Sequence, residues 1–165
     1  MIRPATTEDA KAIATIYNHY ILHSHATFET EPIDVPEMLS RIRKVQNEFA
    51  LPWLVKEESG VVVGYAYATQ WKPRKAYENT VEISVYLDKD CAGKGYGKHL
   101  YQELIRQLQG EGYHAVIGGI SLPNESSVKL HESLGFQKVA HFKETGFKFD
   151  RWIDVGYWEL ILTND

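Results

Sequence analysis

The stretch TVEISVYLDKDCAGKGYGKHLYQEL, residues 80–104, decides how the rest of the chain is read. Its first eight residues alternate Thr, Glu, Ser and Tyr with Val, Ile, Val and Leu, the period of a strand. Gly93, Gly95 and Gly97 follow at alternate positions. Leu100, Tyr101, Leu104, Ile105 and Leu108 then recur at helical spacing. A glycine turn between strand and helix lets successive amides point inward with no side chain in the way, and the helix adds its positive end. Lys94 and Lys98 add charge at the rim. Such a turn suits a phosphate; a tight structural turn without a ligand is the competing reading. The spacing is not that of a Walker A loop, since His99 follows Lys98 where Ser or Thr is required. Nor is it the dinucleotide fingerprint, because the glycines read G-x-G-x-G.

Working outward, MIRPAT reads as a short first strand, with Thr6 or Thr7 capping a helix whose apolar stripe is Ile13, Ile16, Tyr17, Tyr20 and Ile21. HATFETEP is a connection. Asp34 caps a second helix that carries Met38, Leu39, Ile42 and Val45. Residues 53–71 form a hairpin that turns at Ser59 and Gly60. After the glycine turn and its helix come a strand in HAVIGGIS, a short helix in NESSVKLHESLGF, and two last strands. One strand, two helices, three strands, a helix, a strand, a helix and two strands describe a mixed α/β single domain, residues 1–165.

Composition sets the outer bounds. The chain has 165 residues, 44% hydrophobic and 24% charged, with a formal net charge of -4. That balance argues against a broad nucleic-acid surface. One cysteine, Cys91, allows no internal disulfide, which points to a reducing cytoplasm. No apolar run is long enough for a membrane span, so no membrane partner is expected. HSHATFE brings His23, His25 and Glu29 together without metalloprotease spacing, and no metal is expected.

Residues 92–97, AGKGYG, resemble the acyl-coenzyme A pyrophosphate loop of the GNAT N-acetyltransferase superfamily. Gly95 and Gly97 match that pattern, whereas Ala92 stands where Gln or Arg is usual. NESSVKLHESLGF, residues 124–136, is similar to the later coenzyme A motif, with Asn124 and Ser127 in place. FETEP (28–32), PRKAY (73–77), TVEISVYL (80–87), LHESLGF (130–136) and GFKFDRWIDVGYWEL (146–160) together look like the phosphinothricin, methionine sulfone and methionine sulfoximine N-acetyltransferase group. The resemblance implies an acyl-CoA N-acyltransferase fold, a central, mostly antiparallel twisted sheet flanked by helices. It also implies acetyl-CoA as cosubstrate, a small-molecule amine as acceptor, and a homodimer.

Acetyl transfer from a thioester to an amine needs a held cosubstrate, a deprotonated amine, an oxyanion donor and a stabilised leaving thiolate. Glu82 is the candidate base: it interrupts an apolar strand that leads into the cofactor loop, and partial burial raises a carboxyl pKa. The group has a glutamate proposed as base in this segment. The competing reading makes Glu82 a solvated or ion-paired strand residue. In the superfamily this strand bends and frees an amide for the thioester carbonyl; Val85, Tyr86 and Leu87 span that place. Gly93, Lys94, Gly95, Tyr96, Gly97 and Lys98 form the expected pyrophosphate cradle. His131 matches the position of the proton donor to the thiolate, and packing within a helix is its other reading. Cys91 as a covalent nucleophile is the rival chemistry, disfavoured because this fold class transfers acetyl directly.

For the acceptor, Arg74 offers a planar fork to an acid and Tyr77 a hydroxyl. Phe28, Glu31, Lys75 and Ala76 are placed beside them by the likeness, with Lys148, Arg151 and Trp152 closing the site. Phe28 as core and Arg74 as solvated surface are the alternatives. Two other functions stay open: acetylation of a polyamine or protein N-terminus, and an acetyl-CoA sensor without turnover.

Overall fold

The structure, a computed structural model, describes residues 1–163; the last two positions of the expected 1–165 domain lie outside the described residues. Seven strands form one sheet in the order β1-β2-β3-β4-β5-β7-β6. They are β1 (Ile2–Pro4), β2 (Trp53–Glu58), β3 (Val61–Gln70), β4 (Thr80–Leu87), β5 (Ala115–Leu122), β6 (Gln137–Lys148) and β7 (Arg151–Ile161). The helices are α1 (Ala10–His23), α2 (Val35–Arg43), α3 (Tyr96–Gly110) and α4 (Glu125–Ser133). The element order is the one the periodicities predict, and each strand pair is antiparallel except β4 with β5.

Period-two alternation distributes β3 and β4 between two faces. Tyr65 and Tyr86, paired across β3 and β4, turn towards α1, where the Tyr86 ring meets Tyr17 edge-on at 5.2 Å. Gly64 faces the other way, against Leu87 and Leu100 of α3. So α1 and α2 cover one face and α3 and α4 the other. The buried residues Val81, Ile83, Leu100, Leu104 and Leu108 make the core beneath α3.

Caps follow the sequence signals. Asp34 accepts from the Glu37 amide at 2.8 Å with Pro36 in the first turn of α2. Asn124 accepts from the Ser127 amide at the start of α4. The α1–α2 connection, 24–34, is tied down along its length. Asn18 both donates to the Ile33 carbonyl and accepts from its amide. Arg41 grips Glu29 through two bonds of 2.7 Å, and Tyr17 donates to the same carboxylate. Lys148, 4% exposed, donates to the Ser24 and Thr27 carbonyls at 2.7 and 2.8 Å.

The feature that positions the site is a split in the sheet. β4 and β5 pair over three residues only, from Thr80↔Ala115 to Glu82↔Ile117. Beyond that both strands run on for five residues, β4 beside β3 and β5 beside β7, with a slit between them. The glycine turn and α3 make the crossover that parallel strands require.

Candidate active site

Pairing parity decides which backbone groups face the slit. The Asp88 amide donates to Val63 on the β3 side, and Asn79 accepts from His114 and Ala115 on the β5 side. Alternation from these points turns the amides of Ile83, Val85 and Leu87 towards β5; Ile83 still meets the Ile117 carbonyl at the last paired position, and beyond it β5 is no longer there to receive Val85 and Leu87. The β3–β4 register is unbroken from Gly64↔Leu87 to Gln70↔Val81. The bend expected in β4 is therefore not a register shift: the departure of β5, not a bulge, uncovers these amides.

A cavity of about 310 Å³ fills the slit. Val85, Tyr86, Leu87, Gly93, Gly97, Asn124, Ser127 and His131, all anticipated from sequence, line it. The glycine turn borders it through Gly93 and Gly97; Gly93 and Gly95 hold φ of +78° and +79°, a region that favours glycine. Gly95 directly precedes the first turn of α3, so free helical amides open onto the cavity. Lys94, Gly95, Tyr96 and Lys98 stand outside the lining; the ammonium of Lys94 lies 5.9 Å from the Tyr96 ring centre. Ala92 lines the cavity, but its methyl leaves anion binding to the backbone. Cys91 is buried and does not itself line the cavity.

A second cavity, about 430 Å³, opens on the α1 face. Glu82 and Phe28 line it, and Gly119 and Ser121 border both cavities. A Cβ at Gly119 would lie 3.4 Å from Glu82 Oε2 and 3.1 Å from the Tyr157 ring, so glycine leaves the carboxylate open to the junction. Burial pushes the Glu82 carboxyl above its ordinary value, opposed in part by the charge of Lys72. Among the side chains lining this cavity none is Lys or Arg. Lys72, carried on the Trp71 ring at 4.9 Å, supplies positive charge at the edge, and Trp71 in turn meets Tyr157 edge-on.

His131 sits on the opposite face. It is 2% exposed, and its Nδ1 lies 2.7 Å from the Ser127 carbonyl. A carbonyl only accepts, so the proton is on Nδ1 and Nε2 is bare. Nε2 has no partner, and burial holds the ring's pKa below the usual imidazole value. In the neutral ring Nε2 carries no proton, so the expected donation to the thiolate requires the charged form, which burial disfavours.

Several sequence-predicted acceptor residues are not brought to this cavity. Arg74, Lys75, Ala76 and Tyr77 lie on an exposed turn, where Lys75 pairs with Glu78 at 3.0 Å. Glu31 is exposed on the α1–α2 connection. Phe28 does reach the cavity, its ring packed on Gly146 rather than in the core. Conversely His25, Gly119, Ser121 and Tyr157 were not anticipated as site residues. The paired glycines of β5 were the available signal, since glycine inside a strand marks close approach. His25 engages Ser121 and Glu29 engages Arg41; no group of three or more metal-ligating side chains occurs among the described residues. Nor is any described helix long and apolar enough to cross a membrane.

Unreceived strand amides, a glycine turn at a helix start and an orphaned imidazole nitrogen fit a long, polar, phosphate-bearing group threaded through the slit. Comparisons with known proteins agree. The family model for the acetyltransferase (GNAT) domain matches residues 2–156. The chain is 42% identical to a phosphinothricin N-acetyltransferase of Streptomyces viridochromogenes over 158 residues, 96% of this chain and 85% of that protein. It is 38% identical to an L-methionine sulfoximine/L-methionine sulfone acetyltransferase of Salmonella typhimurium, over 98% of this chain and 94% of that one. The solved structure of a putative acetyltransferase from Salmonella typhimurium with its cofactor acetyl-CoA superposes with a TM-score of 0.95 at 37% identity, covering 100% of this chain and 95% of that one.

Proposed function

The chain belongs to the GNAT acetyltransferase family, and we propose that it moves the acetyl group of acetyl-CoA to the α-amine of a small amino-acid analogue of the phosphinothricin, methionine sulfoximine or methionine sulfone type. Attack is direct, within a ternary complex. We place it in the cytoplasm as a single-domain homodimer without a metal; the exposed Phe147 and Trp152 rings, 4.7 Å apart at the β6–β7 turn, support such self-association.

The observation that carries this reading is the half-buried Glu82 carboxylate at the point where the two cavities meet. Bound acetyl-CoA supplies an activated acyl group. The chain's own groups do the rest. The turn from Gly93 to Lys98 and the start of α3 hold the pyrophosphate, with Asn124 and Ser127 beside the pantetheine. The slit-facing amide of Val85 is placed to donate to the thioester oxygen as charge develops there. Glu82 takes the proton from the ammonium or from a water between them, and its raised pKa suits that exchange. Phe28 excludes water from the acceptor. Tyr77, Arg74, Lys75, Ala76 and Glu31 have a role at this pocket only through a rearranged turn or a second subunit.

A second reading is favoured by the absence of Lys and Arg from the lining: a polyamine or a protein N-terminus as acceptor. Acetyl-CoA-dependent thiol release against phosphinothricin, methionine sulfoximine, methionine sulfone, spermidine and a short peptide separates the two. Turnover confined to the first three compounds supports the amino-acid reading. Release only with spermidine or the peptide replaces it.

A further inference from the structure

The acceptor cavity contains a polar side chain that the transfer chemistry does not require. His25 lies on the α1–α2 connection and lines the cavity with Glu82. Its partner is Ser121 of β5, whose hydroxyl donates to the His25 carbonyl, while His25 Nδ1 stands 3.1 Å from the same Oγ. The hydroxyl has one proton, and the carbonyl takes it. Only lone pairs remain on Oγ for the imidazole, so Nδ1 must be the donor. In the neutral ring Nε2 is then a bare acceptor.

Neighbouring groups keep this ring fixed and neutral. Lys148 binds the carbonyls of Ser24 and Thr27, and the Ala26 amide donates to Ser24 Oγ at 2.9 Å. The backbone on both sides of His25 is thus immobilised. Burial, together with the charges of Arg151 and Lys148, disfavours protonation. A neutral acceptor in a cavity rewards a ligand that brings a donor and penalises one that brings another lone pair, because the latter leaves both desolvated.

We propose that His25 is a specificity-determining residue whose Nε2 selects acceptors carrying an N–H or O–H donor on the side-chain polar group. The proposal rests on the amino-acid reading of the function. Placement supports it: Glu82 lies beside Gly119 and His25 beside Ser121. Two residues of strand separate these stations by about 7 Å. With its amine at Glu82, an acceptor the length of methionine extends its polar tip towards His25. Methionine sulfoximine carries S=N–H there, a donor. Methionine sulfone, its isostere, carries two oxygens that only accept, and the phosphinate of phosphinothricin is likewise acceptor-only at neutral pH.

The test measures kcat/KM for sulfoximine and sulfone at pH 7.5 or so in the wild type, His25→Phe and Ser121→Ala. Protonation of Glu82 and acetyl-CoA binding are common to both acceptors and cancel in the ratio. We expect a wild-type preference for sulfoximine of about tenfold or more. His25→Phe keeps a ring but has no lone pair, and should bring the ratio within about twofold; Ser121→Ala frees the tautomer and should lower it partway. A wild-type ratio below about twofold, or a preference retained in His25→Phe, overturns the proposal while leaving the acceptor class intact. Failure to acetylate either compound, with spermidine or the peptide acetylated, overturns the acceptor reading and this inference with it.

Discussion

Glu82 and His131 lie against opposite faces of β5: the Glu82 carboxylate is beside Gly119 on the α1 side, and the His131 ring is against Gly118 on the α4 side. Adjacent residues of one strand thus separate the Glu82 carboxylate from the buried imidazole. Glu82 supplies the carboxylate in the lining of the cavity that opens on the α1 side. Glu82→Gln should therefore lower kcat/KM by about 10²- to 10⁴-fold, the usual worth of a general base. The Kd for acetyl-CoA, measured by calorimetry, should be unchanged. The wild-type acid limb should lie above 4.5, as burial raises the carboxyl, and vanish in the variant.

The same residue has an opposite signature in stability. A carboxyl whose folded pKa is raised loses stability as pH climbs from its unfolded to its folded value. At neutral pH Glu82→Gln removes that cost, so its Tm should equal or exceed that of the wild type. A clear drop in Tm would show that the carboxylate is paired rather than merely desolvated.

His131 should titrate below the ordinary imidazole value of 6.5. The unfolded chain binds its proton first as pH falls, so this group contributes stability above that value and withdraws it in acid. Ring chemical shifts followed by NMR test this directly. A midpoint at or above 6.5 would make the charged, Nε2-protonated ring available as a proton donor.

Gly95→Val places a β-branched residue at φ +79° in the glycine turn, at the start of α3 and next to the slit. Acetyl-CoA binding should weaken by tenfold or more, while Glu82 and the acceptor cavity are untouched. Calorimetry on folded protein, verified by circular dichroism, decides it, and unchanged affinity would remove the glycine turn from the cosubstrate site.

Lys148→Met leaves the carbonyls of Ser24 and Thr27 without their donor. Each such loss costs about 1–3 kcal/mol. The connection bearing His25 and Phe28 should loosen, lowering Tm and raising the acceptor KM, with the acetyl-CoA KM held. A rise in both KM values would mean that the two cavities do not separate the substrates as described.

Much of this was legible in the chain. Alternation in TVEISVYL turned Val81 and Ile83 into the core and left Glu82 and Ser84 half-buried, as the structure has them. The glycine turn and the Asn124 cap also follow from local rules. His25, Ser121 and Tyr157 were hidden because their meeting depends on the β5–β7 register, Gly119↔Tyr157 and Ser121↔Val155, and on a loop folded back 96 residues away in sequence. No local period encodes that. PRKAY shows the opposite limit: a short block fixes a position along the chain, not a direction in space, and residues 74–77 point to solvent.

The three-residue junction between β4 and β5 has a thermodynamic meaning beyond housing a substrate. It is a seam where one sheet narrows to three paired residues, leaving its two halves joined there and by the helices packed across them. A molecule wedged in the seam ties them, and at a hundred times its Kd contributes about 2.7 kcal/mol to folding. The amides of Val85 and Leu87 should then exchange with solvent more slowly once acetyl-CoA is bound, while that of Ile83, paired with Ile117, should be protected throughout. Resistance to proteolysis then becomes a gauge of the acetyl-CoA supply, read out at the narrowest joint of the sheet.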